Sequence, residues 1–414
     1  MAATCSAVAR AMLHDPSRHE ALTTTPWDEA RVCDAVHRIV DDIEARRQPD
    51  GSWPVHPNDD EGDTPAGGFK ALYLGRAGVW WALWALQRAG AVALRSDPRA
   101  GIEQACADYA AAPDSGAVVP SYFMGEAGLQ LVRWALTGAA DAADRVQAAV
   151  AANVDNPTNE ALWAAPGTMM AAWHLWRATG QARWRELLQA NSEQVWKTWQ
   201  FDDALGCHLW TQDLYGKTVQ YYGAGHGFAG NACALLTCAD LIDAPRRDAL
   251  YERSLATLRT LACREGDAVN WLPGNYTPRP GAPRFLMQWC HGAPGIVTSL
   301  APYPVGRSPE MEALLRGGAQ AVWQAGPLAK GPGLCHGTAG NGFAFLKLYR
   351  RSGDAVWLER ARAFAMHALE QCDRLRRQHG QGRYTLWTGD AGVALYLWAC
   401  LNGQAELPTW DAVA

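Results

Sequence analysis

The sequence predicts an all-α protein, an α/α toroid built as a double ring of about fourteen helices, seven inner and seven outer. Three observations predict it. A short motif, Gly-x-x-Gly followed by an apolar run, recurs seven times. Those runs are apolar almost all the way round, as a helix enclosed by others must be. The stretches between them are amphipathic and carry the charge, while the period-two alternation of strands is scarce.

In chain order, Gly75-Arg-Ala-Gly78 opens the first run and Gly125-Glu-Ala-Gly128 the second. A degenerate third copy has Ala164 in place of the first glycine, followed by Gly167. Gly227-Phe-Ala-Gly230, Gly292-Ala-Pro-Gly295, Gly337-Thr-Ala-Gly340 and Gly389-Asp-Ala-Gly392 complete the set. Successive copies are 39 to 65 residues apart, room for two helices and their loops. Residues 354–378 typify the intervening stretches, with apolar positions three and four apart. Glycine ahead of an inner helix permits a tight loop and close backbone approach where seven helix ends converge. An open, regular helical solenoid would use similar turns, but the uneven spacing favours a closed ring. The toroid spans residues 61–402, after an N-terminal helical extension and loop (1–60) and before a C-terminal tail (403–414). Pro/Gly-rich segments at 48–68 and 272–283 are expected to be long loops over the ring's top.

Composition narrows the function. Net charge is −5 with no long basic run, which argues against nucleic acid or an anionic membrane as partner. The Arg374, Arg376 and Arg377 cluster reads as a solvated helix face. The first 20 residues hold no signal-peptide-like apolar run. No stretch reaches the roughly 18 apolar residues of a membrane span. Eleven scattered cysteines do not form a disulfide framework, so a cytoplasmic location is expected. The 20 tryptophans suit helix faces lining a cavity, or plain packing.

Chemistry gathers just ahead of three consecutive motif copies: His226 before Gly227, Cys290-His291 before Gly292, and Cys335-His336 before Gly337. Equivalent loops of neighbouring repeats lie side by side, so Cys290, Cys335 and His336 fall within reach of one ion. Two thiolates and an imidazole leave the fourth position of a zinc ion open, as catalytic zinc favours. A lone buried Cys would be ordinary core; a Cys-His pair in register with a second Cys is not. Cys290 and His291 point different ways off one turn, so His291 is expected to line the pocket or support a ligand.

These segments resemble the signatures of the lanthionine synthetase C-like family. The likeness rests on Gln288-Trp-Cys-His-Gly-Ala-Pro-Gly295, Gly333-Leu-Cys-His-Gly-Thr-Ala-Gly-Asn341, Tyr222-Gly-Ala-Gly-His-Gly-Phe-Ala-Gly230 and Gly274-Asn-Tyr276. It extends from about residue 60 to 402, and the Cys-His-Gly wording at both cysteines is nearest the eukaryotic-type branch. The resemblance implies Michael-type addition of a zinc-activated thiol to dehydroalanine or dehydrobutyrine. The thiol is a Cys of the same dehydrated peptide in lanthionine cyclases, or glutathione added to damaged proteins in eukaryotic relatives. A non-catalytic zinc-containing scaffold is the alternative of another class. A cyclase of this kind would need a separate dehydratase as partner, since seven repeats consume the chain.

The resemblance also implies site roles. His226 is the expected general acid for the enolate. Glu160 stands where family members carry an acidic residue, often Asp, and either orients His226 or is a helix-terminal carboxylate. Tyr222 either hydrogen-bonds the substrate carbonyl or packs. Arg284 is displaced in register from the cyclases' arginine before the first zinc Cys. Lys330, five residues before Cys335, matches the glutathione-binding branch's lysine. Arg383 is the candidate for the arginine that contributes there before the last repeat.

Overall fold

Each inner helix begins beneath a loop that doubles back over its first turn. The structure is a computed structural model that describes residues 12–60, 62, 64–65 and 67–413. Positions 1–11 of the expected extension, position 61 at its boundary and position 414 lie outside the described residues. The first seven helices are α1 (Glu29–Ala45), α2 (Arg76–Arg88), α3 (Pro98–Ala111), α4 (Glu126–Thr137), α5 (Ala140–Ala152), α6 (Ala165–Thr179) and α7 (Ala182–Lys197). The second seven are α8 (Phe228–Thr237), α9 (Ala244–Leu261), α10 (Ala293–Leu300), α11 (Pro309–Ala325), α12 (Thr338–Ser352), α13 (Ala355–His379) and α14 (Asp390–Asn402).

The even-numbered helices are the seven apolar runs. Each packs on the next, from α2 through α14, and α14 packs back on α2, so the inner ring closes. The odd-numbered helices form the outer layer against them, which makes the fold the α/α toroid that the repeats predict.

The two layers start their helices differently. Several outer helices carry a side-chain N-cap: Asp28, Asp97, Asp243, Ser308 and Asp354 each accept a first-turn N–H. Inner helices have no such cap. Loop carbonyls seven residues back do the work instead. Thr338 N–H donates to Gly331 O at 3.0 Å and Ala339 N–H to Pro332 O at 2.9 Å. Phe228 and Ala229 repeat the pattern with Tyr221 and Tyr222 at 3.0 and 3.2 Å. This wrap brings a loop carbonyl onto the second motif glycine, where a Cβ would stand. The clash would be with Leu72 O at Gly78, Trp289 O at Gly295 and Leu334 O at Gly340. The sequence repeat is thus the imprint of one backbone contact made seven times. Gly340→Ala is expected to cost about 3 kcal/mol or more by denaturant unfolding, because the obstacle is backbone and cannot rotate away.

Segments on both sides of residues 61–402 pack against the ring. α1, within residues 1–60, is the outer partner of α14 and buries Val32, Val36, Ile39 and Ile43. The segment after Gly403 fills the inside of the ring. Trp410 stacks on Phe123 with centroids 5.7 Å apart, Trp81 Nε1 donates to Val413 O at 2.8 Å, and the Tyr122 hydroxyl donates to Thr409 O. Both segments bury apolar side chains that the repeats leave uncovered, a gain their short length hid. For the fully buried tryptophans, among them Trp80, Trp184, Trp289 and Trp387, packing is the outcome.

Three antiparallel hairpins also interrupt the helices. They are β1 (Gln200–Asp202) with β2 (Cys207–Leu209), β3 (Gln212–Leu214) with β4 (Lys217–Val219), and β5 (Ala262–Glu265) with β6 (Ala268–Trp271). Strands of three or four residues are too short to show an alternating pattern. No helix of the described residues is long and apolar enough to cross a membrane.

Candidate metal centre and active site

The position two residues before the first motif glycine holds Tyr73, Phe123, Leu162, Gly225, Cys290, Cys335 and Trp387 in successive repeats. Backbone hydrogen bonds run between these equivalent positions around the axis. Gly225 N–H donates to Cys290 O at 3.3 Å, Cys290 N–H to Cys335 O at 3.2 Å, and Cys335 N–H to Trp387 O at 2.8 Å. Trp387 N–H donates to Tyr73 O at 3.4 Å and Tyr73 N–H to Phe123 O at 2.9 Å. This stitching brings residues 45 apart in sequence face to face.

Cys290, Cys335 and His336 meet here, with their ligand atoms all within 4.8 Å of one another. Both cysteines are buried and His336 is half-buried. The Cys335 hydrogen bond, against burial, holds the Cys290 thiol well below its usual range, helped by His336 and His291. Burial first, and then Cys290, pushes Cys335 up. The two buried sulfurs thus differ, Cys290 favouring the thiolate and Cys335 the thiol. Gln288 Nε2 also donates to Cys290 Sγ at 3.0 Å, supporting negative charge on that sulfur. A soft, sulfur-rich donor set with one nitrogen fits zinc.

His226 stands beside this set. Its Nδ1 lies 2.8 Å from Glu160 Oε2, and its ring stacks on His291 with centroids 5.3 Å apart. Glu160 is fully buried and also accepts the Leu162 and Trp163 backbone N–H groups at 3.2 and 2.7 Å. The carboxylate is thereby fixed, and so is the imidazole it grips. Burial works to lower the His226 pKa, yet the Glu160 hydrogen bond and charge, with Cys290, hold it above the ordinary value. Burial pushes His291 down to about 4, which keeps it neutral beside its charged neighbour. The first glycines of these two loops, Gly227 and Gly292, have φ of +108° and +103°, backbone that L side chains rarely adopt. That turn lets the preceding histidines face one another.

The other expected residues fare differently. Tyr222 takes the packing alternative: it is buried in the core, and burial, then Cys207 and Asp202, raise its pKa. Its neighbour Tyr221 faces the site instead, with its ring 6.0 Å from His226 and 5.4 Å from His291. Arg284 is exposed and lies over the Phe285 ring at 5.5 Å. Lys330 is exposed on the rim, where its charge acts on Cys335. Arg383 is buried and already holds a carboxylate, since Asp59 of the 48–68 loop takes its Nε at 2.7 Å and pairs with Nη2.

Sequence reasoning missed Tyr73, whose hydroxyl hydrogen-bonds the Cys335 sulfur. Its signal was present, because it occupies the same register position as the two cysteines. It also missed Tyr215, at the tip of the β3–β4 turn, whose hydroxyl accepts from Trp163 Nε1 at 3.1 Å and whose ring lies 6.2 Å from His226.

Comparison with known proteins bears on the family and the fold. A family model described as lanthionine synthetase C-like protein matches residues 70–413. Glutathione S-transferase LANCL1 of Danio rerio is 33% identical over 200 residues, 46% of this chain and 46% of that protein. LanC-like protein GCL1 of Arabidopsis thaliana is 36% identical over 184 residues, 42% of this chain and 39% of that protein. The matched stretch thus spans under half of either relative. Among solved structures, nisin cyclase superposes with a TM-score of 0.61 at 14% identity, covering 93% of this chain and 98% of that one, a likeness of fold.

Proposed function

Because the chain belongs to the lanthionine synthetase C-like family, we propose that it joins a thiol to a dehydroalanine or dehydrobutyrine residue of a polypeptide. Cys290, Cys335 and His336 would hold the zinc ion that this reaction calls for. When bound, zinc supplies the positive charge that makes an incoming thiol acidic at neutral pH. The observation that carries this reading is the pairing of His226 with buried Glu160 beside the two sulfurs.

The chemistry of the residues follows from that pairing. As the sulfur attacks the β-carbon, the carbon–carbon π bond opens and its electron pair moves toward the carbonyl as an enolate. His226, held charged by Glu160, delivers a proton to the α-carbon and becomes neutral. It regains a proton from the next incoming thiol, so the sum is addition of S–H across the double bond. Glu160 fixes the imidazole's orientation and Nδ1 proton through both half-reactions. His291, uncharged, stacks on the His226 ring and takes up space that water would otherwise fill beside the enolate.

The thiol is a cysteine of the same dehydrated peptide in the leading form, which makes the protein a lanthionine cyclase dependent on a separate dehydratase. Glutathione is the second reading, favoured by Lys330 at the rim, a cation suited to a carboxylate. Arg383 offers less, since Asp59 occupies it. Both forms need reduced thiols, which a cytoplasmic location supplies. The test incubates the zinc-loaded protein with a dehydrated peptide that contains or lacks a cysteine, with and without glutathione. Enzyme-dependent loss of free thiol is expected. A rate no greater than the uncatalysed one with either thiol overturns the reading.

A further inference from the structure

A cleft of about 610 Å³ opens beside the site, and its lining is out of keeping with the chain as a whole. The protein carries a net charge of −5, yet Arg18, Lys217 and Arg279 line this cleft and no carboxylate does. The three cations come from separate places: the N-terminal segment before α1, the start of β4, and the loop that follows β6. None has an ion-pair partner among the described residues. Asp15, near Arg18, turns its carboxylate to the Ser17 hydroxyl and N–H at 2.7 and 3.0 Å. Several arginines elsewhere are matched, as in Arg76 with Asp108 and Arg351 with Glu312.

The cleft is also continuous with the chemistry. Tyr221 lines it and lies against His226 and His291, and Tyr276 meets Tyr221 edge to face at 5.6 Å. Whatever lies in the cleft is therefore attached to, or next to, what reacts at His226. Converging cations without counter-ions cost self-repulsion that a partner of opposite sign relieves. The tyrosine faces add packing for side chains of an extended segment.

We infer that this cleft holds an acidic segment of the polypeptide substrate, the residues flanking its dehydroamino acid. The inference rests on the proposed reaction for what the polypeptide carries, and on the lining alone for its charge. Nucleic acid fits poorly, because three cations in a pocket do not make the long basic track a phosphate backbone needs.

The test uses the full chain and fluorescently labelled peptides containing dehydroalanine flanked either by Asp and Glu or by Asn and Gln. Anisotropy titrations at low salt are expected to show the acidic peptide binding on the order of 5- to 10-fold tighter. That preference shrinks as salt rises and is lost in a Lys217→Gln/Arg279→Gln double variant. Addition of glutathione to a small dehydroalanine amide, which does not reach the cleft, stays unchanged in that variant. Equal binding of the two peptides, or a preference that survives in the variant, overturns the inference. So does a variant whose loss falls on glutathione use, for then the cleft serves the thiol. Binding is read without turnover, so absence of any thioether product would count against the reaction and leave the peptide comparison standing.

Discussion

Cys335→Ala is expected to leave the protein folded, strip it of stoichiometric zinc, and slow thioether formation by about 10²- to 10³-fold. The magnitude follows from two losses. At pH 7 a free thiol of pKa about 8.5 is only about 3% thiolate, so losing the bound cation removes a factor of about 30. The rest is positional, since a thiol no longer held beside His226 reacts from solution. Removing one buried sulfur leaves a small cavity, and its packing cost of about 1 kcal/mol is not enough to unfold the ring. Metal analysis, a thermal melt and the rate under saturating substrate separate these effects. Unchanged zinc content would mean that Cys290 and His336 bind without this sulfur. Unchanged rate with zinc lost would detach the metal from the chemistry.

What the sequence revealed and what it hid have a common physical origin. The ring was legible because one backbone contact, a loop carbonyl on the second motif glycine, excludes every side chain. Gly78, Gly295 and Gly340 therefore mark it wherever it occurs. Closure was legible only indirectly, because the packing of α14 on α2 joins helices more than 300 residues apart. The three candidate ligands stood out since Cys290 and Cys335 share a register and His336 directly precedes a motif glycine. Tyr73 shares that register too, but its residue type alone reads as core, and only the register marks it. Tyr221 was passed over because spacing does not tell which of two adjacent side chains turns to the site; Tyr221 lies against His226 and His291, while Tyr222 is buried in the core. The Asp59–Arg383 pair was beyond reach, because a buried ion pair leaves no trace in spacing when its partners come from opposite ends of the chain. The hairpins escaped for want of length.

Glu160→Gln is expected to move the alkaline limb of the pH–rate profile to lower pH, and His226→Asn to abolish that limb with a loss of about 10²- to 10⁴-fold. A group that donates a proton must be protonated beforehand, so activity falls as pH rises through the His226 pKa. That pKa is held above its ordinary value by the Glu160 hydrogen bond and charge against the opposing effect of burial. Glutamine preserves the shape and can still accept the Nδ1 hydrogen bond, but it removes the negative charge. Burial then prevails, the imidazole loses its proton earlier, and the rate declines at a pH where the unaltered protein is still active. Stability must follow the same linkage. A histidine whose pKa is raised on folding contributes stability that is complete below about pH 6.5 and fades as pH climbs through the folded-state value. The unaltered protein should therefore lose a little stability across that window, and Glu160→Gln should lose this dependence. A profile that keeps its alkaline limb in place after Glu160→Gln would assign the proton to another group. His291 would be a poor substitute, since burial already holds it neutral well below that range, at about 4.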